Sequence, residues 1–182
     1  MEEYLARTAS GPRNRRPLAT LGRLLLKNRS HRGYDARFVV RGDQLRRIIG
    51  VNAKIPSARN QQVLRFRPVL ADEAPKVLPH IRLGGALPEL HLPLPGTEPN
   101  AFIIICSTVA EDRYVDIDLG ISAQSMLLQA VEIGLNGICI GAFDKEPIRR
   151  EFGLDAEPLL ILALGKGIEK IVKIDLTKEE AE

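Results

Sequence analysis

The sequence predicts an α+β fold around a mixed sheet, and three observations carry that reading. Two runs, Ala101–Val109 (AFIIICSTV) and Leu159–Leu164, are apolar on both faces, as strands in the middle of a covered sheet are. One helical stretch, Asp116–Gly134, is the longest, and it turns apolar almost all round from Met126 to Ile133. Helices and strands interleave without a strict βα repeat, and no segment repeats internally. The 182 residues suit one ordinary domain, placed at 19–182 behind a flexible N-terminal tail at 1–18.

Taken in order, the tail mixes Gly, Pro, Arg and Asn without periodicity. Ala19–Asn28 follows, with Leu21, Leu24 and Leu25 on one side of a short amphipathic helix. Arg29-Ser30-His31-Arg32-Gly33-Tyr34 then forms a turn that carries two guanidinium forks and a hydroxyl within four residues. Such forks match phosphate oxygens and hold their charge at any working pH.

Asp43 is expected to cap a second helix, Gln44–Asn52, whose Leu45, Ile48 and Ile49 make an apolar face. Pro56 stops it, and Pro56–Gln62 is a polar loop before a strand at about Val63–Leu70. Ala74–Leu83 reads as a short helix, and Gly84–Pro99 as irregular chain. In the long helix, Gly120, Ser122, Ala123 and Ser125 would let another surface approach, Asp116 would serve the N-terminus and Gly134 would end it. Ile138–Ile140 is a short strand, Gly141-Ala142-Phe143 a turn, and Asp144 the cap of a helix to about Phe152. Gly165-Lys166-Gly167 closes the strand Leu159–Leu164, and Ile168–Leu176 is read as a last strand.

Charge is uneven along the chain. Residues 1–50 hold twelve Lys/Arg against four Asp/Glu, and the remainder fourteen against nineteen. A basic half of this kind attracts nucleic acid, a membrane surface or a small anion. Aromatic residues are 4% of the chain and Trp is absent, so base-stacking platforms are scarce and a small phosphate-bearing ligand fits better. No apolar run reaches the roughly 20 residues of a membrane span. Residues 1–17 lack the apolar centre of a secretory signal, and a cytoplasmic protein is expected.

Several constellations are set aside. Cys106 and Cys139 are too far apart, and too isolated, for a disulfide framework or a metal site; both are expected as buried free thiols. His31, His80 and His91 have no ligand spacing, and a lone histidine is more often a surface or capping residue. The glycine-rich run Gly134–Gly141 follows a helix and precedes a strand, the reverse of a dinucleotide fingerprint. Asp112, Asp116 and Asp118 form only a sparse acidic cluster.

Four segments in order resemble the nitroreductase family of FMN-dependent oxidoreductases. Arg29-Ser30-x-Arg32-x-Tyr34 resembles its opening motif, and Pro56-Ser57-x-x-Asn60-x-Gln62 its second. Asp118-x-Gly120-x-x-Ala123-Gln124, continuing through Gly134-Leu135 to Ile140-Gly141-Ala142-Phe143-Asp144, resembles its central helix and following turn. Leu162-x-Leu164-Gly165-Lys166 resembles its closing strand. Asn28 stands where many relatives carry Arg, and Gly141 where some carry Glu.

The resemblance implies a nitroreductase-like fold, with a central mixed or antiparallel sheet flanked by helices, built as an intertwined homodimer. It implies FMN at the dimer interface and NADH or NADPH as electron donor. A small electron-poor molecule, such as a nitroaromatic or a quinone, would be the acceptor. No nucleic acid, membrane or metal is implied. By that resemblance Arg29, Ser30 and Arg32 would contact the flavin phosphate, ribityl chain and pyrimidine edge. Pro56, Ser57, Asn60 and Gln62 would line the ring, partly from the opposite subunit. The turn at Ile140, Gly141 and Ala142 would present backbone N–H groups near N5 and O4, and Lys166 would add charge near the phosphate. The alternatives of the same fold are a specialised flavin enzyme, reductive dehalogenase or flavin-modifying, and a non-catalytic flavin-binding protein.

Overall fold

The structure is a computed structural model that describes residues 20–85 and 88–172. The tail expected at 1–18 and the far half of the strand expected at Ile168–Leu176 lie outside the described residues. The described residues form four helices and four strands: α1 (Leu21–Lys27), α2 (Gly42–Ile49), β1 (Leu64–Val69), β2 (Ala101–Ser107), α3 (Arg113–Glu132), β3 (Asn136–Ile140), α4 (Lys145–Glu151) and β4 (Glu157–Gly165). The strands pair in the order β1-β2-β4-β3, and every pairing is antiparallel. The sheet is therefore antiparallel and not mixed.

The two apolar runs are the central strands, as their two-faced hydrophobicity demands. All seven residues of β2 are buried. Ala101, Ile103 and Ile105 point to one core with Leu162 and Leu164 of β4, under α2 and α3. Phe102, Ile104 and Cys106 point to a second core with Ile161 and Ala163, under α4 and the turns before β2. The period of two sends alternate residues to opposite faces, so each central strand feeds both cores. β1 lies at an edge, where Pro68 can be tolerated without breaking the ladder between two neighbours.

Three boundaries differ from the sequence reading for physical reasons. α3 starts at Arg113, three residues before Asp116, because Asp112 caps it: Asp112 Oδ1 accepts the Tyr114 and Val115 N–H groups, both at 2.8 Å, and Asp116 serves the N-terminus from within the first turn. α2 starts at Gly42, with Arg41 at the cap position. Asp43 instead pairs with the Arg41 guanidinium at 3.0 Å, while the Gln44 side chain accepts the Arg41 N–H. Ala74–Leu83 forms two separate 3-10 turns, Ala74–Lys76 and Leu78–His80, each with a proline near its start. Gly134 ends α3 as expected, with φ of +84°.

Among the described residues, no helix is long and apolar enough to cross a membrane, and no group of three His, Cys, Asp or Glu could hold a metal.

Candidate functional site

The loop Arg29–Tyr34 is laid against the open edge of β3. Ser30 bridges to Gly137 in parallel fashion, and the His31 N–H donates to the Gly137 carbonyl at 3.2 Å. On its other side the loop meets the chain that leaves β4. Tyr34 bridges to Gly167, the Asp35 N–H donates to Lys166 O at 2.8 Å, and the Ile168 N–H donates to Gly33 O at 3.2 Å.

This approach is possible only where the incoming chain lacks side chains. A Cβ on Gly165 would come within 2.7 Å of the Tyr34 ring, and one on Gly167 within 2.3 Å of His31 Nδ1. The Gly165-Lys166-Gly167 pattern thus makes room for the loop, a role that spacing alone did not reveal.

Within the loop the two arginines part company. Arg29 folds back on the end of α1, donating from Nη1 to Asn28 O at 3.0 Å and to Leu25 O at 3.3 Å. Arg32 turns toward the end of β3 and lines a cleft of about 220 Å³ with Ile140, Gly141 and Ala142. Its Nη1 donates to Ser30 O at 3.4 Å, while its Nε is buried without a hydrogen-bond partner among the described residues. A buried charge-bearing donor left unpaired costs free energy that an incoming acceptor would return. Neither the Gly141 nor the Ala142 N–H donates to a described residue, and a Cβ at Gly141 would meet nothing within 4 Å. The cleft therefore offers one guanidinium and two main-chain donors to an anionic or carbonyl-bearing ligand.

The other predicted residues lie elsewhere on the chain. Arg29 and Lys166 line a second cleft of about 370 Å³ below the C-terminal end of α3. Lys166 Nζ donates there to the carbonyl of Gly134, just past the end of α3, at 3.2 Å. Pro56, Ser57 and Gln62 line a third cleft of about 270 Å³ between the second motif loop, β1 and α3. Asn60 belongs to that loop, its side chain accepting from Gln62 Nε2 at 2.8 Å. The structure thus joins Arg32 to Ile140–Ala142 and Arg29 to Lys166, and keeps Pro56–Gln62 apart from both within one chain.

Four residues gain roles that the sequence reading did not give them. His31 is buried, not a surface or capping residue. Glu169 Oε2 accepts the Arg32 main-chain N–H at 2.7 Å. The same oxygen lies 3.3 Å from His31 Nδ1, within ion-pair range though not aligned for a hydrogen bond. Burial lowers the His31 imidazole below its ordinary value, and the Glu169 charge opposes that in part.

Asp118, which opens the third family-like segment, is buried and accepts the Ala58 N–H with both oxygens, at 2.8 and 3.1 Å. It thereby anchors a loop in which Arg59, Asn60 and Gln62 all take left-handed φ near +50°. Tyr34 donates its hydroxyl to His31 O at 2.8 Å, and burial followed by the Glu169 charge raises its phenol far above its usual range. The spacing of Glu169 from Lys166 carried no signal; only the chain path after β4 brings it to the loop.

The cysteines correct in part. Cys106 is buried, with burial, and then Glu157, pushing its thiol up to about 11, so it is protonated at neutral pH. Cys139 is exposed on the edge strand β3, though burial of its thiol still raises its proton affinity.

Comparison with known proteins agrees with this architecture. The nitroreductase family model matches residues 86–166. A curated relative from Methanocaldococcus jannaschii, provisionally named a nitroreductase, is 37% identical over 57 residues, which are 31% of this chain and 29% of the relative. The matched part is thus less than a third of that relative's length. A solved Staphylococcus epidermidis structure, provisionally named an NAD(P)H:FMN oxidoreductase, superposes with TM-score 0.69 at 22% identity, over 94% of this chain and 99% of that one. An Exiguobacterium sibiricum structure, provisionally named a nitroreductase and solved in complex with FMN, gives TM-score 0.68 at 16% identity, over 90% and 96%. By the matched span and by its fold, this chain resembles the nitroreductase family.

Proposed function

We propose that the protein is an FMN-dependent oxidoreductase that draws electrons from NADH or NADPH and delivers them to a small electron-poor acceptor such as a nitroaromatic or a quinone. The observation that carries this reading is that Arg32, whose buried Nε has no hydrogen-bond partner among the described residues, lines one cleft with Gly141 and Ala142, whose N–H groups donate to no described residue. A flavin ring presents an acceptor at N5 and carbonyl oxygens beside it, which is what such donors match. When bound, the flavin supplies reversible two-electron chemistry, accepting a hydride from one partner and giving it to the next.

The chain's own part is to bind, orient and polarise. Arg32 would sit at the pyrimidine edge, where its fixed positive charge favours added electron density on the ring. Gly141 and Ala142 would donate from the main chain, unobstructed because neither carries a bulky side chain. Ser30, Arg29 and Lys166 would serve the phosphate end, with Arg29 and Lys166 exchanging their present carbonyl partners for phosphate oxygens.

The Arg32 cleft, at about 220 Å³, falls below the roughly 300–1,000 Å³ of sites that enclose a small molecule. A second copy of the chain, contributing its Pro56, Ser57, Asn60 and Gln62, would complete the enclosure. Exposed Leu21, Leu25 and Leu26 on α1, and Tyr114 and Ile117 on α3, supply apolar surface for such a homodimer.

The test is direct. Purified protein should be yellow, release FMN on denaturation and be bleached by NADH or NADPH without oxygen. Protein that is colourless and takes up no FMN on reconstitution would end this reading.

A further inference from the structure

We propose that Glu169 is a positioning residue: it clamps the Arg29–Tyr34 loop through the Arg32 main-chain N–H and His31, and so holds the Arg32 guanidinium in the cleft with Gly141 and Ala142. This rests on Arg32 being a flavin contact, as proposed above.

The geometry is specific to one oxygen. Glu169 Oε2 accepts the Arg32 N–H at 2.7 Å, a short, charge-assisted bond, and faces His31 Nδ1 at 3.3 Å. The residue so held is the one whose side chain enters the cleft. The neighbouring bonds, Ile168 N–H to Gly33 O and Asp35 N–H to Lys166 O, run the two segments side by side up to that carboxylate. Gly167 lies flush beneath the His31 ring, so the ring cannot withdraw toward the chain that carries Glu169. On the opposite side the main-chain bonds reach Gly33 and Asp35 but not Arg32 itself; Glu169 adds the one described bond to the Arg32 N–H. Holding a side chain in place before its ligand arrives lowers the ordering cost of binding.

Glu169→Ala, Glu169→Gln, Arg32→Ala and the Arg32→Ala/Glu169→Ala double variant of the full chain test the clamp, with FMN affinity read by fluorescence titration. Glu169→Ala should weaken FMN binding about tenfold. Glu169→Gln keeps an oxygen for the Arg32 N–H and should stay within about threefold of wild type. In the Arg32→Ala background, Glu169→Ala should cost no more than about twofold, because its effect passes through Arg32. A merely structural role would make the two losses multiply, and that result, or wild-type affinity in Glu169→Ala, overturns the proposal.

Hydrogen exchange of the Arg32 amide separates this inference from the flavin reading. It should quicken about tenfold or more in Glu169→Ala and not in Glu169→Gln. Unchanged exchange overturns the clamp even if FMN binds, and quickened exchange supports it even if FMN does not.

Discussion

His31 shows how a single side chain can be assigned only when its surroundings are known. In the sequence it is one of three isolated histidines; in the fold it is buried between β3, Gly167 and Glu169. Burial lowers its proton affinity relative to the unfolded chain, so unfolded protein takes up the proton first as pH falls. The neutral imidazole's contribution is therefore complete above the ordinary value of about 6.5 and is lost as pH drops through the lowered folded value. Thermal melts between pH 7.5 and 5.5 should show falling stability, and His31→Gln should flatten that slope; an unchanged slope would contradict the assignment.

Asp118 makes a second prediction at this scale. Removing its oxygens strands the Ala58 N–H and releases a loop with three left-handed residues. Asp118→Ala should cost about 1–3 kcal/mol in urea unfolding, the range for a buried donor deprived of its charged acceptor.

At the scale of elements, α3 depends on its cap and the sheet on its central strands. Asp112→Ala removes an acceptor shared by two N–H groups and should cost about 1 kcal/mol, measured by the same unfolding curves. Ile161 is fully buried in β4 and packs in the core beneath α4. Ile161→Ala should cost about 2–5 kcal/mol, and a loss under 1 kcal/mol would show that this core repacks freely.

β2, β4 and α3 were legible in the sequence because burial on both faces leaves an uninterrupted apolar run. Pattern alone does not place the start of α3, where Asp112 and Asp116 both stand near the N-terminus, or that of α2, where Asp43 lies inside the first turn. Only backbone geometry selects Asp112 over Asp116 and leaves Asp43 to pair with Arg41. The Ala74–Leu83 stretch failed as a helix because Pro75 and Pro79 each begin a short turn and remove a donor that a continuous helix needs.

The whole molecule leaves apolar surface that one chain does not cover. α1 buries none of its residues, with Leu21 63% and Leu26 59% exposed, which is a poor arrangement for an isolated short helix. The homodimer proposed above would cover it, and light scattering should then report twice the 20.1 kDa chain mass. A monomer at micromolar concentration would leave the Pro56–Gln62 cleft without a role in the Arg32 site.

What the sequence determined by itself is the α+β class, the central strands and the identity of the motif residues, since these depend on local pattern and on residue chemistry. What the tertiary structure decided is which of those residues meet. Pairing of Ser30 and His31 with the β3 edge brings Arg32 to Gly141 and Ala142, more than a hundred residues away. The same path carries Glu169 to the Arg32 N–H. Such contacts leave no periodicity in the chain, because they arise from where an edge strand stays open and where glycines allow two backbones to touch.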